Sequence, residues 1–279
     1  TFFFHTWRIG GKYPQIFDDP EKGEEAKKLF DDAQMLLKEI VEKKLFQAKG
    51  VIGLFPARRV GDDVLVFEDE QATQPLTKFS FLRNQQEKPE GIPNLALSDF
   101  IAPSDDGITD YIGAFVVTSG HGADALVKYY ETQHDDYNAI MVKVLADRFA
   151  EAFAEFLHEK VRREYWGYAP NEHLRPDEML AEKYQGIRPA PGYPACPEHS
   201  EKRVLFDLLR AVKHTGVELT ENFAMTPPAA VSGFYFAHPD AQYFNVGRIG
   251  KDQVMDYSQR TGHELADMER LLSTQLNYK

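Results

Sequence analysis

Cysteine is almost missing from this chain: Cys196 is the one thiol in 279 residues. One thiol excludes an internal disulfide framework and a structural zinc site built from several thiolates. It fits a reducing, cytoplasmic compartment. Long apolar runs are also missing, so no segment reads as a membrane-spanning helix. The opening residues lack the basic start and small-residue cleavage pattern of a secretory signal. Positive charge is scarce: 32 Lys and Arg stand against 44 Asp and Glu, a formal net charge of −12. That balance argues against nonspecific nucleic-acid binding, which needs a concentrated positive field. An acidic protein partner then requires a surface that is locally reversed. Arg58-Arg59 and Arg162-Arg163 are the candidate patches, with solvated surface arginines as the alternative for each pair. No Gly-x-Gly-x-x-Gly, P-loop, internal repeat or low-complexity tract is present.

What remains is an ordinary globular composition, long enough for one large domain or two small ones with a sizeable core. Ala26, Leu29, Phe30, Ala33, Leu36, Leu37, Ile40 and Val41 recur at three- and four-residue spacing and predict a helix over 20–44. Strands are predicted over 51–55 and 64–67, around a turn at 61–63. Residues 79–82 read as a strand or the start of a short helix. The run over 111–117 is the clearest strand, apolar almost throughout and so covered on both faces. The longest helical pattern spans 135–165, with Tyr137, Ile140, Met141, Val144, Leu145, Ala152, Phe153, Phe156 and Leu157 as its apolar stripe. Further helices are predicted over 123–130, 176–184, 201–214 and 252–272, and strands over 231–236 and 241–248. Strands and helices interleave without regular alternation, so the expected fold is α+β, built on an antiparallel or mixed sheet flanked by helices. The triplet Phe2-Phe3-Phe4 belongs under cover, which reads as a fragment of a longer protein or a missing preceding segment.

Residues 186–199 read Gly-Ile-Arg-Pro-Ala-Pro-Gly-Tyr-Pro-Ala-Cys-Pro-Glu-His. Pro189, Pro191, Pro194 and Pro197 fix φ, remove donors and push their predecessors out of the helical region, so a stiff extended strap is expected. A stiff strap carrying an arginine fork suits a small polar ligand, because little ordering entropy is lost on binding. A proline-rich surface connection is the alternative. Arg188 can grip a carboxylate through two parallel hydrogen bonds, or can simply tie the strap to the domain. Cys196 has no flanking base and reads as structural. His134-Asp135-Asp136 and Glu198-His199 lack a second histidine at ligand spacing, so capping and dipole roles suit the first trio better than metal binding. Asp147, Glu151 and Glu155 recur every four residues and form an acidic row, facing either a cationic ligand or solvent.

The string Arg188-Pro-Ala-Pro-Gly-Tyr193 is similar to the AdoMet-binding signature of the activation domain of cobalamin-dependent methionine synthase. Further family-like blocks follow in family order: Thr6-Trp7 with Gly11-Lys-Tyr-Pro14, Gly53-Leu-Phe-Pro-Ala57, Asp110-Tyr-Ile-Gly-Ala-Phe115, Gln133-His-Asp-Asp-Tyr-Asn138, Tyr165-Trp-Gly-Tyr-Ala-Pro-Asn-Glu172 and Ser232-Gly-Phe-Tyr-Phe-Ala-His-Pro239. The resemblance runs almost end to end. It implies a single C-shaped domain over 1–279 with a bent, largely antiparallel sheet, belonging to a longer enzyme. It implies that Arg188 binds the methionine carboxylate of AdoMet and that Ala190 contributes backbone groups. Gly192 belongs to the binding string, and Tyr193 lies near ligand and corrin. Tyr243 and Phe244 match adjacent aromatics of that site, where the family usually has a second tyrosine in place of Phe244. Neighbours on a strand point to opposite faces, so at most one of them faces the ligand. Asp147 and Glu151 fall on the ligand or corrin side. A family aspartate would fall just before Thr1, and AdoMet affinity is expected to be weaker without it.

The function implied is support of reductive methylation of inactive cob(II)alamin to methylcobalamin, with AdoMet as methyl donor. Cobalamin is expected in another module of the same enzyme, zinc only in a module absent here, and the electron from flavodoxin or a similar donor. No catalytic acid or base is expected, because a sulfonium methyl is already activated and the task is alignment. The chain alone is not expected to make methionine. The alternative is a free-standing AdoMet- or corrinoid-binding module without catalysis; an independent AdoMet methyltransferase is disfavoured by the missing Gly-rich loop.

Overall fold

The computed structural model describes residues 2–278, apart from the side chain of Phe2. The chain divides into two compact units. One comprises the residues up to Gly50 with Val117–Glu155 and Met225–Val231; the other comprises Val51–Val116, Phe156–Ala224 and the residues from Ser232 onward.

Among the described residues seven strands are formed: β1 (Gln47–Val60), β2 (Asp63–Phe67), β3 (Pro75–Ser80), β4 (Asp110–His121), the short β5 (Glu218–Leu219) and β6 (Met225–Thr226), and β7 (Ala230–Tyr235). The main sheet has the order β3-β2-β1-β4-β7. The β1–β2 hairpin closes at Val60 opposite Asp63, and β2 pairs antiparallel with β3 as far as Asp63 opposite Ser80. The architecture is the expected α+β, a largely antiparallel sheet with flanking helices. Residues 112–120 of β4 are buried throughout, as a continuous apolar run requires.

The first unit is built on α1 (Phe2–His5), α2 (Gly23–Glu42), α3 (Ala123–Thr132) and most of α4 (Asp136–Lys160). α2 buries Ala26, Leu29, Ala33, Leu36 and Ile40, while Val41 is 60% exposed, so its apolar stripe is narrower than the spacing predicts. In α4 the buried stripe is rotated from the predicted one. Ala139, Met141, Val142, Leu145, Ala146, Ala150 and Ala154 face inward, and Ile140 and Phe156 face out. Small side chains let this helix lie close to its neighbour: Ser119 Oγ on β4 donates to the Ala146 carbonyl at 2.6 Å. Phe4 is buried and meets Phe3 and Phe17 edge-on, so these phenylalanines find their cover. Thr1 and the side chain of Phe2 lie outside the described residues. Asp135 caps α4, accepting the backbone N–H of Asn138 at 3.0 Å.

The second unit holds the end of α4, which continues into a π-helical turn, Val161–Tyr165, and then α5 (Pro176–Leu180), α6 (Glu201–Leu209), α7 (Ala211–Thr215), α8 (Lys251–Thr261) and α9 (Leu265–Leu271). Two predicted helices are broken by left-handed residues, one at Arg210 (φ 48°) and the other at Gly262 (φ 73°). The predicted strand over 241–248 does not form. Its backbone bonds elsewhere: Val246 N–H donates to Pro194 O at 2.9 Å, and Gly247 N–H to the Asn245 side chain at 2.8 Å. Phe79 and Phe81 pack on Phe234 of β7, with ring centroids 4.7 and 5.5 Å apart, at the heart of this unit.

Candidate functional site

The strap lies along the end of β7 in the second unit. Ile187 and Phe236 exchange two backbone hydrogen bonds of 3.0 Å, and Phe234 N–H donates to Pro189 O at 2.9 Å. Proline fits here because its carbonyl, not an N–H, makes the bond. Gly233 makes the approach possible: a Cβ there would lie 2.5 Å from Pro189 O. The strap is therefore extended only over its first part. Beyond Ala190 it folds back in two successive turns, Tyr193 N–H to Ala190 O at 3.1 Å and Cys196 N–H to Tyr193 O at 2.9 Å. Pro191-Gly192 occupies the centre of the first turn with Gly192 at φ 97°, the signature of a type II turn. The four prolines stiffen the segment without keeping it straight.

Gly192 also has no room for a side chain, since a Cβ would fall 2.1 Å from the His199 ring, which Lys202 Nζ holds at 2.9 Å from Nδ1. Gly192→Ala is expected to cost about 1–3 kcal/mol through its positive φ and this overlap. The urea midpoint measures it, and a loss within experimental error would refute the account.

Arg188 leaves the strap at a fixed point. Its N–H donates to the Tyr243 hydroxyl at 3.0 Å, and that hydroxyl lies 3.3 Å from the Tyr184 hydroxyl. Tyr243 thus faces the strap, whereas Phe244 packs on the cluster of Leu82, Val246, Ile249 and Tyr257. The pair does diverge as expected, although from irregular backbone. Ala190 is buried, and Tyr193 is 57% exposed at the rim. The structure brings Arg188, Ala190, Gly192, Tyr193 and Tyr243 together on one support. Asp147 and Glu151 belong to the first unit, where Asp147 is exposed and paired with Arg148.

Beneath the strap lies a polar layer that sequence reasoning does not single out. Arg162 is fully buried and bonded to Glu172 by three contacts of 2.7–3.0 Å; it is not part of a surface patch. A buried guanidinium needs such a bidentate partner, and the i, i+10 separation hides it in the sequence. Arg163 is likewise paired, with Glu159, and Arg59 with Asp99, so most of the predicted basic patch is neutralised. The Arg162 guanidinium lies 4.4 Å from the Tyr184 ring centroid. His158, one helical turn before Arg162, stacks on Tyr235 and meets Tyr184 edge-on, at 5.2 and 4.9 Å. The available signal was the four-residue spacing of His158 and Arg162.

The strap's exit carries buried acids. Glu198 accepts the Ser200 N–H at 2.6 Å, and Glu201 is pushed up to about 8, first by burial and then by the Glu198 charge. The Cys196 thiol is also pushed up by burial, which removes its nucleophilic form and supports its structural reading. Between pH 4.5 and about 8 folded Glu201 holds a proton that the unfolded chain has lost. This group therefore lowers stability progressively as pH rises through that window. Glu201→Gln is expected to raise the thermal midpoint by several degrees at pH 8 and to leave it nearly unchanged at pH 5. A shift of equal size at both values would contradict the buried-acid account.

Comparison with known proteins agrees with this geometry. Residues 1–262 match the family model described as vitamin B12 dependent methionine synthase, activation domain. A solved structure, the crystal structure of the MetH reactivation domain bound to AdoHcy, is similar at a TM-score of 0.97 and 54% identity, over 100% of this chain and 86% of that one. The chain belongs to the family of activation domains of vitamin B12 dependent methionine synthase.

Proposed function

We propose that this chain binds AdoMet and AdoHcy at the strap and serves a cobalamin-dependent methionine synthase as its reactivation domain, one part of a larger methyltransferase. The observation that carries the reading is the likeness, at a TM-score of 0.97, to a reactivation domain bound to AdoHcy. The local geometry suits it. Arg188 is the guanidinium for the ligand's carboxylate, and its backbone is locked by the Ile187–Phe236 pair and by Tyr243. Ala190 and Gly192 offer backbone groups at the first turn of the strap. Tyr193 presents an amphipathic ring at the boundary between ligand and the module that carries the corrin.

AdoMet, when bound, supplies a methyl group already activated as a sulfonium. The protein's share is to hold the donor's amino-acid end and so fix the direction in which the methyl points. No proton has to be moved, and no residue is assigned as acid or base. The cobalamin module of the same enzyme and a flavodoxin-type one-electron donor are the proposed partners, in a cytoplasmic setting. Combining the chain with a cobalamin module, AdoMet and a one-electron reductant is expected to give methylcobalamin, read from its absorbance spectrum. AdoMet binding without methylation would instead support a binding module, and transfer without corrinoid an independent methyltransferase.

A further inference from the structure

Between β3, the start of α6 and the corner after α8, the second unit holds a cleft of about 320 Å³. Lys78, Glu201, Arg203, Val204, Phe223 and Arg260 are among its lining residues, and none of the strap residues assigned to AdoMet belongs to it. Glu201 is 4% exposed, and its Oε2 has no hydrogen-bond partner among the described residues. The donors of this corner go to Glu198 instead, which accepts both the N–H and the hydroxyl of Ser200. Burial first, and then the Glu198 charge, keep Glu201 protonated at neutral pH. A protonated carboxyl has an O–H to give, and burying that donor unused costs more than burying a leucine or methionine in the same space. Packing of α6 against β3 therefore does not explain a glutamate here. A group in the cleft that accepts a hydrogen bond does.

The cations around the cleft differ in what they already hold. Asp63 pairs with Lys78 at 2.8 Å and also with Arg260. Arg260 further meets Asp256 at 2.7 Å and donates to the Phe81 carbonyl at 3.0 Å, so each of its three nitrogens is bonded. Glu198 is offset by Lys202 close by. Arg203 is exposed and makes no ion pair or side-chain hydrogen bond among the described residues; its guanidinium lies 5.8 Å from the Phe223 ring centroid. Lys78 and Arg260 are thus balanced by Asp63 and Asp256, and Arg203 is the charge left over. One unbalanced positive charge suits a single carboxylate better than a dianion. Half-buried Val204 and Phe223 supply an apolar wall, and the volume has room for more than a carboxyl group.

We propose that this cleft binds the carboxylate of a small organic acid, at a site separate from the AdoMet strap. Arg203 supplies the guanidinium fork, the Glu201 O–H donates a further hydrogen bond, and Val204 and Phe223 pack against the acid's apolar body. Glu201 is faced by Glu198 and Cys196 from the strap's exit, by Asp63 and Lys78 from the sheet, and by Tyr257 from α8. With its carboxyl pushed up to about 8, it donates to an anion below that pH and repels one above it, once ionised. His263 also lines the cleft.

The test is an NMR titration of the isotopically labelled chain with benzoate, benzamide and inorganic sulfate, read at the backbone amides of Lys78, Arg203 and Phe223. Benzoate is expected to saturate these shifts, about 10-fold more tightly at pH 7 than at pH 9, because Glu201 passes from mostly protonated to mostly ionised. Benzamide has no charge, and sulfate is a dianion without an apolar body; each is expected to bind about 10-fold more weakly than benzoate, or less. Arg203→Ala is expected to weaken benzoate about 10-fold or more. Glu201→Gln keeps a donor and cannot ionise, so it is expected to bind benzoate equally at both pH values. A pH dependence that survives in Glu201→Gln would come from another group, such as His263, and would overturn the role given to Glu201. Equal binding of benzamide or sulfate overturns the carboxylate reading. Shifts confined to Arg188 and Tyr243 would put benzoate at the strap, and no saturable shift would mean that solvent alone fills the cleft; either result overturns the proposal. Should Glu201→Gln not fold, the unchanged chain still decides, because equal benzoate binding at pH 7 and pH 9 refutes it.

Discussion

Glu172→Gln is expected to destabilise the protein by about 3–5 kcal/mol, far more than a surface carboxylate would. Arg162 has no exposed surface and sits beside Glu172 with two nitrogens bonded at 2.7–3.0 Å. Its third nitrogen, Nη1, has no hydrogen-bond partner among the described residues, so Glu172 carries nearly all of the compensation. Glutamine keeps the shape and one acceptor oxygen but leaves a full positive charge in a low-dielectric interior. The urea midpoint at unchanged m-value reports the loss. The double variant Arg162→Met with Glu172→Leu removes both charges and is expected to be more stable than Glu172→Gln alone. That ordering separates an uncompensated charge from lost packing, because packing changes more in the double variant. A Glu172→Gln protein within about 1 kcal/mol of the unchanged chain would show that water or relaxation compensates Arg162. The same substitution should disturb the ligand site, because Arg162 lies on the Tyr184 ring that leads to Tyr243 and Arg188.

Local patterns carried much of the fold and less of the site. The helix over 20–44 and the strand over 111–117 were readable because each presents one periodicity for its whole length, and both occur as α2 and β4. The rotated stripe of α4 was not readable from hydrophobicity. Alanine scores as weakly apolar, yet Ala139, Ala146, Ala150 and Ala154 line the buried face because close approach, not hydrophobic area, is what that face needs. The breaks at Arg210 and Gly262 are single left-handed residues, and only the glycine announces itself. The strap was legible as stiff from its prolines, but its reversal depends on Pro191-Gly192 acting as a turn pair. That signal lay inside the string and was outweighed there by the prolines' preference for extended backbone. Arg188 was singled out as a guanidinium on a stiff strap and Tyr243 through the resemblance to known activation domains, while their 3.0 Å link is long-range and invisible in one dimension. The same holds for Arg162, Glu172, Tyr184 and His158: a buried polar layer is defined by which groups satisfy each other in space, and residue type alone reads as surface charge.

Arg188→Ala is expected to weaken AdoHcy binding about 30-fold or more, the loss of roughly 2 kcal/mol for a charge-assisted pair with a carboxylate. The fold should tolerate it. The strap is held by the backbone of Ile187 and Pro189 on β7 and by the Arg188 N–H on Tyr243, none of which needs the guanidinium. An unchanged circular dichroism spectrum and thermal midpoint would confirm that the fold survives. Arg188→Lys sharpens the reading, since it keeps the charge and loses the planar fork. It is expected to fall between alanine and arginine, because a point charge steers a carboxylate but does not fix its plane. With 5′-methylthioadenosine, which has no carboxylate, all three proteins should bind alike. If alanine instead weakened both ligands equally, Arg188 would be supporting the adenosine end or the strap as a whole. If alanine weakened neither, the guanidinium would be structural and the carboxylate would have to be held elsewhere. The contrast between the two ligands therefore decides the role of this side chain, which neither affinity alone could do, because a displaced strap and a missing clamp both weaken AdoHcy.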